Sequence, residues 1–190
     1  MTVAVRWCVF CGSSPGNDPR LVEYATATGN ALAQNGIELV YGGGRTGLMG
    51  AVADGTLAAG GHVIGVIPRH LEEREVAHRG ISDLRVVGSM HERKALMADL
   101  SDGFIALPGG FGTFEEFCEV VTWVQLGIQH KPCVLANLDG YYDPLVAQFD
   151  RGRDAGFISP VNREIVQVVT SLAALLAVVS RNTTTERILP

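Results

Sequence analysis

The sequence predicts an α/β fold: a Rossmann-like, doubly wound parallel sheet in a three-layer α/β/α arrangement. Three observations predict it. Short apolar runs alternate with segments of helical period along the whole chain, the pattern of a parallel sheet whose strands are joined by helices. One of the runs, Gly103 to Leu107, is apolar throughout, as a strand buried on both faces is. Three of them end in glycine-rich turns, and in such sheets ligands bind beyond the carboxyl ends of the strands.

The elements follow in order. Val3 to Cys11 reads as the first strand, ending in Gly12-Ser13-Ser14-Pro15-Gly16. A helix from Arg20 to Asn35 stops at Gly36, a residue suited to the left-handed conformation beyond a helix end. The second strand, Ile37 to Tyr41, runs into Gly42-Gly43-Gly44-Arg45-Thr46-Gly47 and a helix to about Ala59. His62 to Ile67 is the third strand, ended by Pro68. From Arg69 to Asp83 charges cluster and large apolar residues are few, as in a surface loop. Leu84 to Val87 is the fourth strand and Met90 to Leu100 a helix. Gly103 to Leu107 is the fifth strand, Pro108-Gly109-Gly110-Phe111-Gly112 a turn, and Thr113 to Leu126 a long helix. Pro132 to Ala136 is the sixth strand and Asp143 to Asp154 a helix. Ile165 to Val169 fits a strand or a helical turn, and Ser171 to Val179 closes the fold. One domain over residues 1–180 is expected, with residues 181–190 a flexible, polar tail.

Composition narrows the function. The chain has 190 residues, 47% hydrophobic and 18% charged, with a net charge of −5, so it suits a compact core and lacks the basic stripe of a nucleic-acid binder. The apolar run at the start is short and broken by Arg6. It is neither a signal peptide nor a membrane span, so cytoplasmic residence without a membrane partner is expected. Cys8 and Cys11 have CxxC spacing. Residues three apart on a strand face opposite sides, and no second pair completes a metal site, so no metal is expected.

The glycine turns carry the candidate site. A strand, a glycine turn and a helix start form an anion site, because backbone N–H groups point outward there and the helix dipole adds positive charge. Gly109, Gly110, Phe111, Gly112 and Thr113 make such a turn, and Gly12, Ser13, Gly43 and Gly44 lie at the same sheet edge. Residues 42–47 also match GxGxxG, which raises a dinucleotide oxidoreductase. The acidic residue expected about 20 positions later is missing, because the third strand ends in Pro68-Arg69. Arg93 and Lys94 put two cations on the first turn of a helix, against its dipole, which calls for a nearby anion. Thr113 and Glu116 fit a capping box, in which Glu116 would reach back to the backbone of Thr113. That structural role competes with a catalytic one for Glu116.

Met90-His91-Glu92-Arg93-Lys94 and Pro108-Gly109-Gly110-Phe111-Gly112-Thr113-Phe114-Glu115-Glu116 together resemble the MxxRK and PGGxGTxxE motifs of the LONELY GUY (LOG) family. The resemblance extends from Cys11 to about Ile165, through Thr122-Trp123, Gln125-Leu126-Gly127 and Asp139-Gly140-Tyr141-Tyr142. These are cytokinin riboside 5′-monophosphate phosphoribohydrolases, often labelled lysine decarboxylases. The resemblance implies hydrolysis of the N-glycosidic bond of adenosine 5′-monophosphate and its N6-modified forms, without a cofactor. It implies Arg93 and Glu116 as the catalytic pair, with Glu75, Lys94, Gly110 to Glu116 and Thr122 at positions that hold substrate; Met90, which opens the first motif, is a further candidate. Thr122 lies six residues after Glu116, a rotation of about 240° around a helix, so the two do not share a face. If both touch substrate, Thr122 serves a neighbouring subunit, which predicts a homodimer. A pyridoxal decarboxylase needs a lysine Schiff base. Of the two lysines, Lys131 precedes a strand and so lies at the wrong sheet edge, and Lys94 has no recognisable aspartate partner for a pyridinium. A non-catalytic module that binds AMP-like nucleotides is the other reading that these residues allow.

Overall fold

The structure is a computed structural model that describes residues 4–72 and 77–185. Seven strands form one parallel sheet: β1 Val5–Phe10, β2 Ile37–Tyr41, β3 Val63–Pro68, β4 Asp83–Val87, β5 Gly103–Ala106, β6 Cys133–Ala136 and β7 Val166–Val169. Their order is β4-β3-β2-β1-β5-β6-β7. The chain winds outward from β1 to β4, then returns to the centre and winds the other way from β5 to β7. The switch point lies between β1 and β5, paired in register from Trp7 with Gly103 to Phe10 with Ala106. A crevice at the carboxyl ends of those two strands is therefore built into the topology.

Helices cover both faces. Helices α1 Pro19–Gln34, α2 Gly47–Ala58 and α7 Leu172–Thr185 pack Leu32, Val52 and Leu175 against one face of the sheet. Helices α3 Met90–Asp99, α4 Phe111–Gln125 and α5 Asp143–Asp154 cover the other, on which Met97, Phe117 and Val120 are buried with Phe10 and Phe104. The short α6 Pro160–Arg163 links α5 to β7. The expected three-layer α/β/α architecture is thus observed. Cys8 and Cys11 belong to the opposite core layers, as strand periodicity requires, and both are free thiols. Among the described residues no helix is long and apolar enough to cross a membrane.

Four expectations are settled or changed. Val166–Val169 is a strand, one of the two readings that the sequence allowed. The four-residue α6, with Ser159 as its N-cap, has no hydrophobic period to announce it. The closing helix passes Val179 and runs to Thr185, so 181–185 continue the helix where a tail was expected; residues 186–190 lie outside the described residues. The fourth matters most. Helix α4 starts at Phe111 with Gly110 as its N-cap, two residues earlier than the turn chemistry suggested. Thr113 is then a first-turn residue and Glu116 sits in the second turn, so the two do not form a capping box.

Candidate active site

Three chain segments meet at the switch point. The N–H of Leu107 donates to the carbonyl of Phe10 at 2.9 Å, and that of Gly12 to Pro108 at 3.0 Å, zipping the ends of β1 and β5 together. The Gly12 carbonyl accepts from the N–H groups of Leu48 and Met49 at 3.0 and 3.2 Å. It thereby satisfies the N-terminus of α2. The two tyrosines after β6 brace the turn from the other side. Tyr142 is buried and donates its hydroxyl to Leu107 O at 2.6 Å, and Tyr141 donates to Gly109 O at 2.6 Å. A Cβ at Gly109 would overlap the Thr113 side chain, so position 109 has room only for glycine.

The start of α4 differs from the start of α2. No side chain caps it. The first intrahelical acceptor, Gly110 O, takes the N–H of Phe114 at 3.1 Å. The N–H groups of Phe111, Gly112 and Thr113 precede that bond and have no intrahelical acceptor by helix geometry. Residues 110–113 line a cavity of about 270 Å³ whose walls also carry Gly12, Ser13, Met90, Arg93 and Glu116. This is the arrangement that holds an anion at a helix N-terminus. A second cavity of about 300 Å³ lies across the wall formed by Gly12, Ser13 and Gly110. It is also lined by Gly109, Leu21, Leu48 and Tyr141.

Arg93 is 4% exposed and enters the site from α3. Its Nε donates to Val66 O at 3.1 Å and its Nη2 to Gly42 O at 2.8 Å. A Cβ at Gly42 would overlap that Nη2, so the guanidinium lies flat on bare backbone. Two carbonyls thus fix the guanidinium plane. Its Nη1 faces Glu116 Oε1 at 3.8 Å, longer than a charge-assisted hydrogen bond, so attraction biases the carboxylate without a tight contact. Glu116 projects from α4 four residues after Gly112, hence on the same helix face, about 6 Å further along the axis. The carboxylate therefore stands above the anion site with Arg93 at its side.

Four of the expected residues lie away from this cavity. Gly43 and Gly44 line neither cavity. Gly43 O accepts from His78 N at 2.9 Å, and Gly44 forms an antiparallel bridge with Ala77. Their turn holds protein, and α2 behind it is already capped by Gly12, so GxGxxG here does not make a phosphate loop. Lys94 is clamped between α3 and α4 by Glu115 and by Glu119, the latter at 3.0 Å. Burial works against its charge, but the hydrogen bonds it donates to the two carboxylates outweigh it and raise its pKa. Lys94 stays an ammonium and meets protein carboxylates rather than an open anion site. Thr122 is exposed, donates to Cys118 O at 2.7 Å, and does not line the cavity. Glu75 lies outside the described residues.

Sequence reasoning missed Cys11, Met49, Leu71 and Glu115, which also line the cavity. The Cys11 signal was present but was read only as half of a CxxC. Burial, then the Glu116 carboxylate, push its thiol pKa far up, so Cys11 remains protonated and is no nucleophile.

Comparison with known proteins places the chain in a family. A family model described as "Possible lysine decarboxylase" matches residues 49–179. The cytokinin riboside 5′-monophosphate phosphoribohydrolase LOG7 of Arabidopsis thaliana is 52% identical over 161 residues, covering 85% of this chain and 74% of its own. The enzyme of that description from Rhodococcoides fascians is 48% identical over 172 residues, covering 90% and 87%. The chain belongs to the LOG family. Among solved structures, the molybdenum cofactor carrier protein of Chlamydomonas reinhardtii is similar, with a TM-score of 0.70, 25% identity, and coverage of 96% of this chain and 99% of that one. DNA processing protein A of Helicobacter pylori, a single-stranded DNA binder, has a TM-score of 0.60 at 15% identity, covering 94% and 81%. That likeness is of fold alone; the function of a LOG-family chain must be argued from its site.

Proposed function

We propose that the protein hydrolyses the N-glycosidic bond of adenosine 5′-monophosphate and its N6-modified forms, releasing the free base and ribose 5-phosphate. The observation that carries this reading is the juxtaposition on α4 of an uncapped helix N-terminus and, one turn on, a carboxylate flanked by a buried arginine. The relatives' names supply the reaction class. The backbone N–H groups of residues 111–113 would hold the 5′-phosphate. The rise of about 6 Å from there to Glu116 is comparable to the distance from a 5′-phosphorus to C1′. Breaking the bond to the base builds positive charge at C1′. The Glu116 carboxylate would stabilise that oxocarbenium-like state and orient the attacking water, and Arg93 would hold the carboxylate in position.

A decarboxylase does not fit these residues. Pyridoxal chemistry needs a lysine amine at the reacting centre. Lys94 is held as an ammonium by two carboxylates, and Lys131 donates to Ala98 O at 2.8 Å, at the start of β6 and the far end of the sheet.

The exposed Thr122, with Leu126 64% and Ile128 67% exposed just beyond it, supports a homodimer in which Thr122 reaches the partner's site. A sedimentation mass of one chain for the active protein would contradict it. Cytoplasmic action on a soluble nucleotide completes the proposal.

The test is incubation with AMP and with adenosine, followed by chromatography for adenine. Adenine from AMP, with turnover at least about a hundredfold slower from adenosine, is the expected result if phosphate binding positions the sugar. Equal rates from both would remove the phosphate from the mechanism.

A further inference from the structure

The Gly42–Gly44 turn, three glycines in a row, supplies one of the two carbonyls that orient Arg93. The other carbonyl, Val66 O, belongs to β3, a strand paired on both sides. The turn is braced from outside, by residues 77–80. His78 N donates to Gly43 O at 2.9 Å, and Ala77 bridges Gly44. His78 is 6% exposed, an unusual place for a histidine on a connecting segment. Its ring is held at both nitrogens. Nδ1 accepts from Gly80 N at 3.3 Å, which leaves Nε2 to carry the proton and donate to Asp54 Oδ1 at 2.9 Å. Asp54 belongs to α2, the helix that begins where the turn ends. The ring thus staples residues 77–80 to α2, and its own backbone pins the turn against which the Arg93 guanidinium lies.

We infer that His78, held by Asp54, is a positioning residue for Arg93: it fixes the Gly42 carbonyl and through it the guanidinium that faces Glu116. The pair lines neither cavity. The inference rests on the proposed reaction for its kinetic readout. Displacing a glycine turn by a fraction of an ångström would tilt the guanidinium and loosen the carboxylate. Such a loss falls on the transition state more than on ground-state binding, so kcat drops while KM holds.

The experiment uses the full chain, with AMP as substrate, and the variants His78→Ala, His78→Gln, His78→Asn and Asp54→Ala. Glutamine places an amide N–H near the position of Nε2 and can still reach Asp54; asparagine reproduces only the Nδ1 side. His78→Ala and Asp54→Ala are expected to lower kcat by about tenfold or more, with KM within about twofold. His78→Gln should recover most of the rate and His78→Asn should not. In protein labelled with nitrogen-15 arginine, the Arg93 Nε–H resonance should shift or broaden in both alanine variants, a readout that needs no turnover. Asp54 is 65% exposed at its side chain, so its variant keeps the test open should His78→Ala not fold. Folded alanine variants with wild-type kcat and an unmoved Arg93 resonance would overturn the inference. So would equal losses in His78→Ala and His78→Gln that track the fall in Tm. A wild-type protein that releases no adenine would instead sink the proposed reaction, with the resonance still reporting on Arg93.

Discussion

Glu116→Gln is expected to lower kcat/KM for AMP by about a thousandfold, the scale of a lost charge-stabilising group at a reacting centre. The substitution keeps the size of the side chain and removes its charge. Glu116 is 12% exposed at its side chain and packs beside Arg93 and the buried Cys11 thiol, so the amide fits the space. Two roles could give a smaller effect. A capping residue would lose only a hydrogen bond at a helix end, with little change in rate. The helix starts at Phe111, however, which takes Glu116 out of capping reach. A residue that only bound ribose hydroxyls would raise KM and spare kcat. The expected loss lies in kcat, because the carboxylate matters most as charge develops at C1′. Steady-state kinetics on AMP, with binding of ribose 5-phosphate measured alongside, separates these outcomes.

Arg93→Ala should damage both turnover and stability. Removing the guanidinium strands the carbonyls of Val66 and Gly42 without their donor and leaves Glu116 without its neighbouring positive charge. Buried polar groups left unpaired cost about 1–3 kcal/mol each, so a total near about 3 kcal/mol is expected after partial hydration of the gap. For a chain of this size that lowers Tm by about 10 °C. Turnover should fall by at least about a hundredfold, because the carboxylate loses its orientation. Arg93→Lys should restore little. One ammonium on a flexible stem cannot meet two carbonyls from different strands while facing a carboxylate on a third element. Thermal unfolding and kinetics on the same preparations test both halves. A variant as stable as wild type would show that the carbonyls find water easily, and that Arg93 serves only the reaction.

Much of this was legible in the sequence, for identifiable reasons. Ile37–Tyr41 and Asp143–Asp154 have the bounds expected of them, because a short apolar run and an amphipathic stretch ending before Gly156 are unambiguous local signals. The convergence of the turns after β1 and β5 was legible too, since parallel topology puts every such turn at one edge. The start of α4 was not. Gly109, Gly110 and Gly112 look like turn residues, and Gly112 has poor helix propensity, yet it lies in the first helical turn. Tertiary bracing by Tyr141 and the close packing of Thr113 on Gly109 override the local signal.

The clamp on Lys94 is invisible in the sequence for a different reason. Its partners Glu115 and Glu119 lie on another helix, and no local spacing links them to it. Similarly, the glycines at 43 and 44 looked like phosphate-binding residues because their pattern matched a known loop. Only the fold reveals that residues 77 and 78 already occupy their backbone. Spacing finds helix faces and turns; it does not find which turn is left with unclaimed N–H groups.

The most direct test is a crystal structure of the Glu116→Gln variant with AMP bound. The account predicts the 5′-phosphate on the N–H groups of Phe111, Gly112 and Thr113, with the residue 116 side chain against C1′ and Arg93 beside it. A phosphate seated elsewhere, or a side chain at 116 turned away from the sugar, would contradict it.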